Sequence, residues 1–145
     1  MAETRSRRTG QDFPRRGEIF LTALDPALGH EIKKTRPALV IQNDVTNRYG
    51  MTTIVAAITS KVSVPPYPNE VVIQPSTTGL EVVSTVRLDQ VRTVDRKRLL
   101  KRFRKVEEDV MRKVDEAISI SLDRTRANCD CVKRHIYFTS KFSTW

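Results

Sequence analysis

Apolar positions recur with a period of two in short runs over most of the chain, and with a period near 3.6 only towards residue 120. GEIFLTAL (residues 17–24) alternates as a strand, with Ile19, Leu21 and Ala23 on one face and Phe20 on the other. RPALVIQ and TTIVAAI are short Val/Ile-rich runs bounded by turn residues, which predicts two more strands. Between them Asn47, Arg48, Tyr49 and Gly50 predict a polar loop. SKVSVPPYPN, with three prolines in four positions, cannot pair continuously and reads as a second long loop. NEVVIQP, VVSTVRL and DQVRTV predict three further short strands, with STTGLE as a turn or one helical turn. Asp95 suits the N-cap of a helix over DRKRLLKRF. EEDVMRKVDEAISISL repeats apolar residues at Val110, Met111, Val114, Ala117 and Ile118 and opens on three acids, which predicts an amphipathic helix.

Five or six short strands, with helices gathered at the C-terminal end, predict a mainly β (α+β) domain. The expected shape is a small antiparallel barrel or half-barrel carrying a C-terminal amphipathic helix. The division expected is a flexible basic tail over residues 1–14, a folded unit over 15–124, and an extension over 125–145 without periodicity, whose role is open. The flanks of the second and third strands carry the chemistry. Arg36 stands just before one and Thr59 ends the other, so antiparallel pairing would bring a guanidinium and a hydroxyl to the same rim. Pro37 disfavours helix at Arg36 and sets an extended entry.

Charge sharpens this picture. The 145 residues hold 26 Lys and Arg against 17 Asp and Glu, a net charge of +9, spread over the body and both ends. That excess fits a polyanionic partner, although basicity alone is a weak signal. No apolar run reaches the roughly 20 residues needed to span a bilayer. The basic N-terminus lacks the apolar stretch of a secretory signal. Cys129 and Cys131 make no disulfide framework, so a reducing cytoplasm is expected. No metal-ligand spacing appears, since the histidines are far apart and the two cysteines lack a partner pair. No phosphate-cradling glycine loop is present. The chemistry expected therefore needs no cofactor.

RPALVIQND and TTIVAAITS, preceded by RRGEIF and LDPALGHEIKKT and followed by LDQVRTVDRKRL and VMRKVDEAISISL, resemble in order the MazF/PemK family of toxin endoribonucleases. The resemblance runs from about Arg15 to about Leu122. It implies an SH3-like barrel with a C-terminal helix, working as a homodimer. It implies metal-independent cleavage of single-stranded RNA, leaving a 2′,3′-cyclic phosphate and a 5′-hydroxyl. It also implies neutralisation by a MazE-like antitoxin with an acidic segment.

The resemblance places the family's catalytic arginine at Arg36 and its catalytic threonine at Thr59. An arginine fork matches phosphate oxygens, but in isolation Arg36 is more often a surface ion-pair residue, and Thr59 a strand-end cap. Ser60 adds a hydroxyl beside Thr59. His30 and Glu31 lie in the loop before Arg36. An imidazole suits proton transfer, yet many relatives carry serine in place of His30, and Glu31 reads as a substrate-loop contact. Gln42, Asn43, Asn47 and Arg48 have the groups to bond base edges, and Tyr49 and Tyr67 to stack on bases. Phe20, inside a strand, reads as packing. Gln90 and Arg92 match the family's LxQVRT segment, as phosphate supports or as a structural pair. The basic run 96–105 reads as a solvated helix face that adds to an RNA-attracting field. Two other readings compete with the nuclease: a non-catalytic toxin like the CcdB gyrase poisons, and an SH3-like RNA-binding module. Neither needs Arg36 together with Thr59.

Overall fold

A computed structural model describes residues 13–124. The strands are β1 (Glu18–Ala23), β2 (Thr35–Val40), β3 (Thr52–Thr59), β4 (Glu70–Ile73), β5 (Ser84–Asp95) and β6 (Leu99–Lys105). The helices are α1 (Asp44–Tyr49), α2 (Pro75–Thr78) and α3 (Glu108–Ser121). All strand pairs are antiparallel, in the order β4-β5-β3-β2-β1-β6, and the sheet curls into a half-barrel.

The period-two pattern sorts side chains onto two faces. Ile19, Leu39, Ala56, Ile58 and Val86 point to one face, where Val114 and Ala117 of α3 complete a core. Phe20, Ala38, Val40, Val55 and Ala57 build a smaller core on the other face, covered by Ile32 and Leu99. Ile19, Leu39 and Val114 are fully buried. Each such side chain contributes about 1.5–3 kcal/mol by leaving water, so the sheet and α3 hold one another in place. Phe20 packs as the sequence indicates, with the Arg102 guanidinium 5.2 Å from its ring centroid.

Three elements differ from the sequence reading. The loop expected between β2 and β3 contains α1, because Asn43 caps it: its side chain accepts from the Thr46 amide at 2.8 Å. VVSTVRL and DQVRTV are not two strands. β5 runs unbroken from Ser84 to Asp95, and a bulge absorbs the polar Asp89-Gln90 step: Arg87 pairs with Ala57 and Val91 with Ala56. DRKRLLKRF is not a helix. Asp95 does cap, accepting from the Lys97 amide, but only for a single 3₁₀ turn over Arg96–Arg98. The chain then extends as β6, since pairing with β1 outweighs the helix propensity of its lysines and arginines.

Of the expected N-terminal tail, residues 1–12 lie outside the described residues, whereas Pro14 is buried and the Arg15 guanidinium lies 5.0 Å from the Phe13 ring centroid. The extension over 125–145, with Cys129 and Cys131, also lies outside them. No helix among the described residues is long and apolar enough to cross a membrane.

Candidate active site

Pro37 shapes the site by what it lacks. β2 pairs with β1 through Thr35, Arg36 and Pro37, but its ladder to β3 begins only at Ala38, opposite Ala57. A proline has no amide hydrogen to extend that ladder. Continuing the register by two residues sets Arg36 opposite Thr59, on the face shared by Ala38 and Ala57. Arg36 pairs on its other side with Thr22, and Thr59 with Thr85. The row Thr22–Arg36–Thr59–Thr85 thus crosses four neighbouring strands.

A cleft of about 460 Å³ opens at this end of the sheet. Arg36, Pro37, Thr59 and Ser60 line it from β2 and β3, with Ser84 from β5. Glu81 lines it from the α2–β5 connection, and Lys101 and Phe103 from β6. The juxtaposition of Arg36 with Thr59 expected from the sequence is therefore present. Arg36 Nε donates to the Lys33 carbonyl oxygen at 2.9 Å. Its two terminal nitrogens meet no hydrogen-bond or ion-pair partner among the described residues. Thr59 is buried, and its Oγ1 accepts from the Lys61 amide at 3.3 Å, so its own proton is left to donate. The cleft offers planar guanidinium donors, a hydroxyl donor, an ammonium and one carboxylate around space for an anion.

The loop over residues 24–35 that delivers Arg36 is clasped at its ends. Asp25 Oδ1 accepts from the Lys34 amide at 2.9 Å, and the Leu24 amide donates to the Lys34 carbonyl at 3.0 Å. Lys34 adopts φ +68°, a left-handed conformation that costs about 1–3 kcal/mol in a residue with a side chain and persists where its surroundings fix it.

The remaining candidates separate into groups. Glu31, Gln90 and Arg92 line a second cleft of about 410 Å³ together with Leu24, Ile32 and Asp89. There Gln90 Oε1 accepts from the Ile32 amide at 3.4 Å, and Arg92 donates to the Leu24 carbonyl at 2.7 Å. Glu31 accepts from the Leu28 amide at 3.0 Å, bracing its own loop, and His30 is exposed beside it. Tyr67 is half-buried in the β3–β4 connection, where its amide donates to Glu70. Arg48 is exposed on α1 with its guanidinium 5.4 Å from the Tyr49 ring centroid.

Two asparagines brace α1, Asn43 from an exposed position and Asn47 from the interior. Asn43 is the N-cap described above. Asn47 is fully buried: its Oδ1 accepts from Gln42 Nε2 at 2.9 Å and Thr53 Oγ1 at 2.7 Å, and its Nδ2 donates to the Gln42 carbonyl at 2.9 Å. Gln42 also donates to the Thr52 carbonyl at 3.2 Å.

Sequence reasoning passed over Glu81, Ser84 and Phe103, and took Lys101 only as part of a basic helix face. Reading LKRF as an edge strand would have brought Lys101 and Phe103 to this rim, whereas Glu81 and Ser84 carry no local signal. It also passed over Arg87, whose Nε and Nη2 donate to Asp89 at 2.8 and 2.5 Å and whose Nε lies 3.6 Å from Glu70. The Asp89 hydrogen bond, with both carboxylates nearby, holds the Arg87 guanidinium above its ordinary pKa. No group of three His, Cys, Asp or Glu poised to hold a metal occurs among the described residues.

Comparison with known proteins bears on the family and the fold. Residues 15–122 match the family model of PemK-like, MazF-like toxins of type II toxin–antitoxin systems. Endoribonuclease EndoA of Bacillus subtilis is 42% identical over 108 residues, which are 74% of this chain and 93% of that protein. The crystal structure of MazF from Deinococcus radiodurans superposes with a TM-score of 0.68 at 25% identity, covering 78% of this chain and 99% of that one. A MazE–MazF structure from the same organism gives a TM-score of 0.61 at 27% identity, covering 77% and 97%. With the family match spanning the whole described sheet and α3, and a relative above two-fifths identity across nearly its full length, this chain belongs to the PemK/MazF-like family of type II toxin–antitoxin toxins.

Proposed function

We propose that the chain is the toxin of a type II toxin–antitoxin system and acts as a sequence-specific endoribonuclease on single-stranded RNA, with Arg36 and Thr59 as its catalytic pair. The observation that carries the site assignment is the opposition of Arg36, whose two terminal nitrogens have no partner among the described residues, to the Thr59 hydroxyl at one cleft. The EndoA relative is named an endoribonuclease, and the Deinococcus structure pairs MazF with MazE.

RNA carries its own nucleophile. The 2′-oxygen attacks the adjacent phosphorus, the P–O5′ bond breaks, and a 2′,3′-cyclic phosphate forms. The 2′-hydroxyl proton goes to a base and a proton returns to the leaving 5′-oxygen. The protein's largest task is to stabilise charge growing on the phosphate, which fixed donors do without a metal. Arg36 supplies two parallel N–H groups and Thr59 one O–H, with Ser60 beside them. Base selection falls to the segments around the cleft: 27–35 with His30 and Glu31, 42–50 with Gln42 and Arg48, and 60–69 with Tyr67. Gln90 holds the first of these segments at Ile32, and Arg92 holds the chain just before it at Leu24. The protein works in the cytoplasm, where its RNA substrate and a MazE-like antitoxin are found.

The test is incubation of the purified protein with long RNA in EDTA, followed by mapping of the new ends. Cleavage at a short recurring sequence, with 5′ ends that a kinase labels without prior phosphatase treatment, is expected. Intact RNA, or 5′-phosphate ends, would overturn the reading.

A further inference from the structure

Thr85 is almost fully buried, and its Oγ1 meets no hydrogen-bond partner among the described residues. Buried hydroxyls in folded proteins are nearly always bonded, so an orphan asks for an explanation. Valine has the same shape and the same strand preference and would leave nothing unsatisfied. Among the described residues the only other orphaned hydroxyl is that of Ser121, at the end of α3. Thr85 is the one set beside the cleft, as the direct partner of Thr59 in the β3–β5 ladder.

Directly opposed residues in an antiparallel pair point to the same face with Cβ atoms about 4.5–5.5 Å apart, within reach of one hydroxyl rotamer. Thr59 Oγ1 has two acceptor sites and one proton. The Lys61 amide fills one acceptor site. We propose that Thr85 is a positioning residue for Thr59: its hydroxyl donates to the second acceptor site of Thr59 Oγ1 when an RNA phosphate enters the Arg36 cleft. With both acceptor sites filled, the Thr59 proton has one direction left, towards the phosphate oxygen. A hydroxyl that accepts is also the better donor, because successive hydrogen bonds polarise one another. The proposal rests on the assignment of Thr59 to the catalytic pair.

The test uses the full chain carrying Thr85→Val, Thr85→Ser, Thr59→Ala, or Thr85→Val with Thr59→Ala, in single-turnover cleavage at saturating RNA. Thr85→Val is expected to lower the cleavage rate constant about 3- to 10-fold, the effect of one neutral hydrogen bond. The half-saturating RNA concentration and the melting temperature should not fall. Thr85→Ser should restore the rate, and Thr85→Val should cost nothing further once Thr59 is alanine. If Thr85→Val melts early, Thr85→Ala is compared with Thr85→Ser in its place. A full rate in the hydroxyl-free variant, or an equal loss with and without Thr59, overturns the positioning role. A full rate in Thr59→Ala overturns the catalytic pair itself, which separates the two failures.

Discussion

Arg36 Nε is tied by a 2.9 Å hydrogen bond to the Lys33 carbonyl, three residues back in its own loop. That bond restrains the guanidinium at the lip of the cleft and leaves both terminal nitrogens without a partner among the described residues. A lysine at this position has no Nε to be held and offers a mobile point charge instead of a fork. Loss of one preorganised donor to a developing oxyanion costs about 10²–10³ in rate. Arg36→Lys is therefore expected to be nearly as slow as Arg36→Ala, both in the range of about 10²–10³ below the parent. Single-turnover cleavage of a fluorescent oligonucleotide in EDTA reads the rate, and circular dichroism confirms the fold. Near-parental cleavage by Arg36→Lys would rule out the fork.

Asn47 presents the opposite case, a polar side chain wholly consumed inside the fold. It joins α1 to β3 through Thr53 and to the end of β2 through Gln42. In Asn47→Ala the buried Thr53 hydroxyl loses its acceptor and the Gln42 carbonyl its donor. The expected loss of stability is about 2–4 kcal/mol, read as a lower denaturant midpoint with an unchanged slope. The variant should cleave normally per folded molecule. A stable variant with weakened RNA binding would return Asn47 to the substrate surface.

These two residues mark what placement the sequence makes legible and what it does not. Arg36 and Thr59 were legible because strand alternation and antiparallel pairing are both set by local pattern, and because their flanking motifs resemble a family. Asn47 looked like a base-reading residue because nothing in its neighbours announces α1, which is short and has no apolar stripe. Its only signal is the Asn43 cap. The LKRFRK segment was misread because cations favour helix locally, while its strand conformation comes from β1, some eighty residues away in sequence. Asp89-Gln90 looked like a strand break because the bulge that accommodates it is a property of the β3–β5 pair. Cleft residues such as Glu81 arrive through tertiary placement alone.

The sheet leaves β4 and β6 as its two edges, with no pairing between them. An open half-barrel with free edges and exposed apolar side chains, among them Val45, Tyr49 and Met51, gains from a second copy. A homodimer is expected at micromolar concentration. Light scattering giving the mass of a single 16.6 kDa chain would contradict it.

Electrostatics sets the last expectation. β6 carries Lys101, Arg102, Arg104 and Lys105, all exposed, along one edge, and Lys101 shares its cleft with Arg36. Arg102 alone of these four has a carboxylate within ion-pair range among the described residues, Glu18 at 3.3 Å. The remaining cations form a positive field that would attract RNA and, on the proposed function, an acidic segment of the antitoxin. Exposed charges attract over about 8 Å at physiological salt and over only about 3 Å at 1 M. Antitoxin affinity should therefore fall by at least about tenfold between 0.05 and 0.5 M salt, chiefly through a slower association rate. Neutralising the field with Lys101→Gln and Arg104→Gln together should flatten that dependence while leaving the melting temperature within a few degrees, since both side chains are solvent-facing. Surface plasmon resonance across a salt series measures both rates. An affinity that does not change with salt would place the binding energy in apolar contacts instead of in the field of β6.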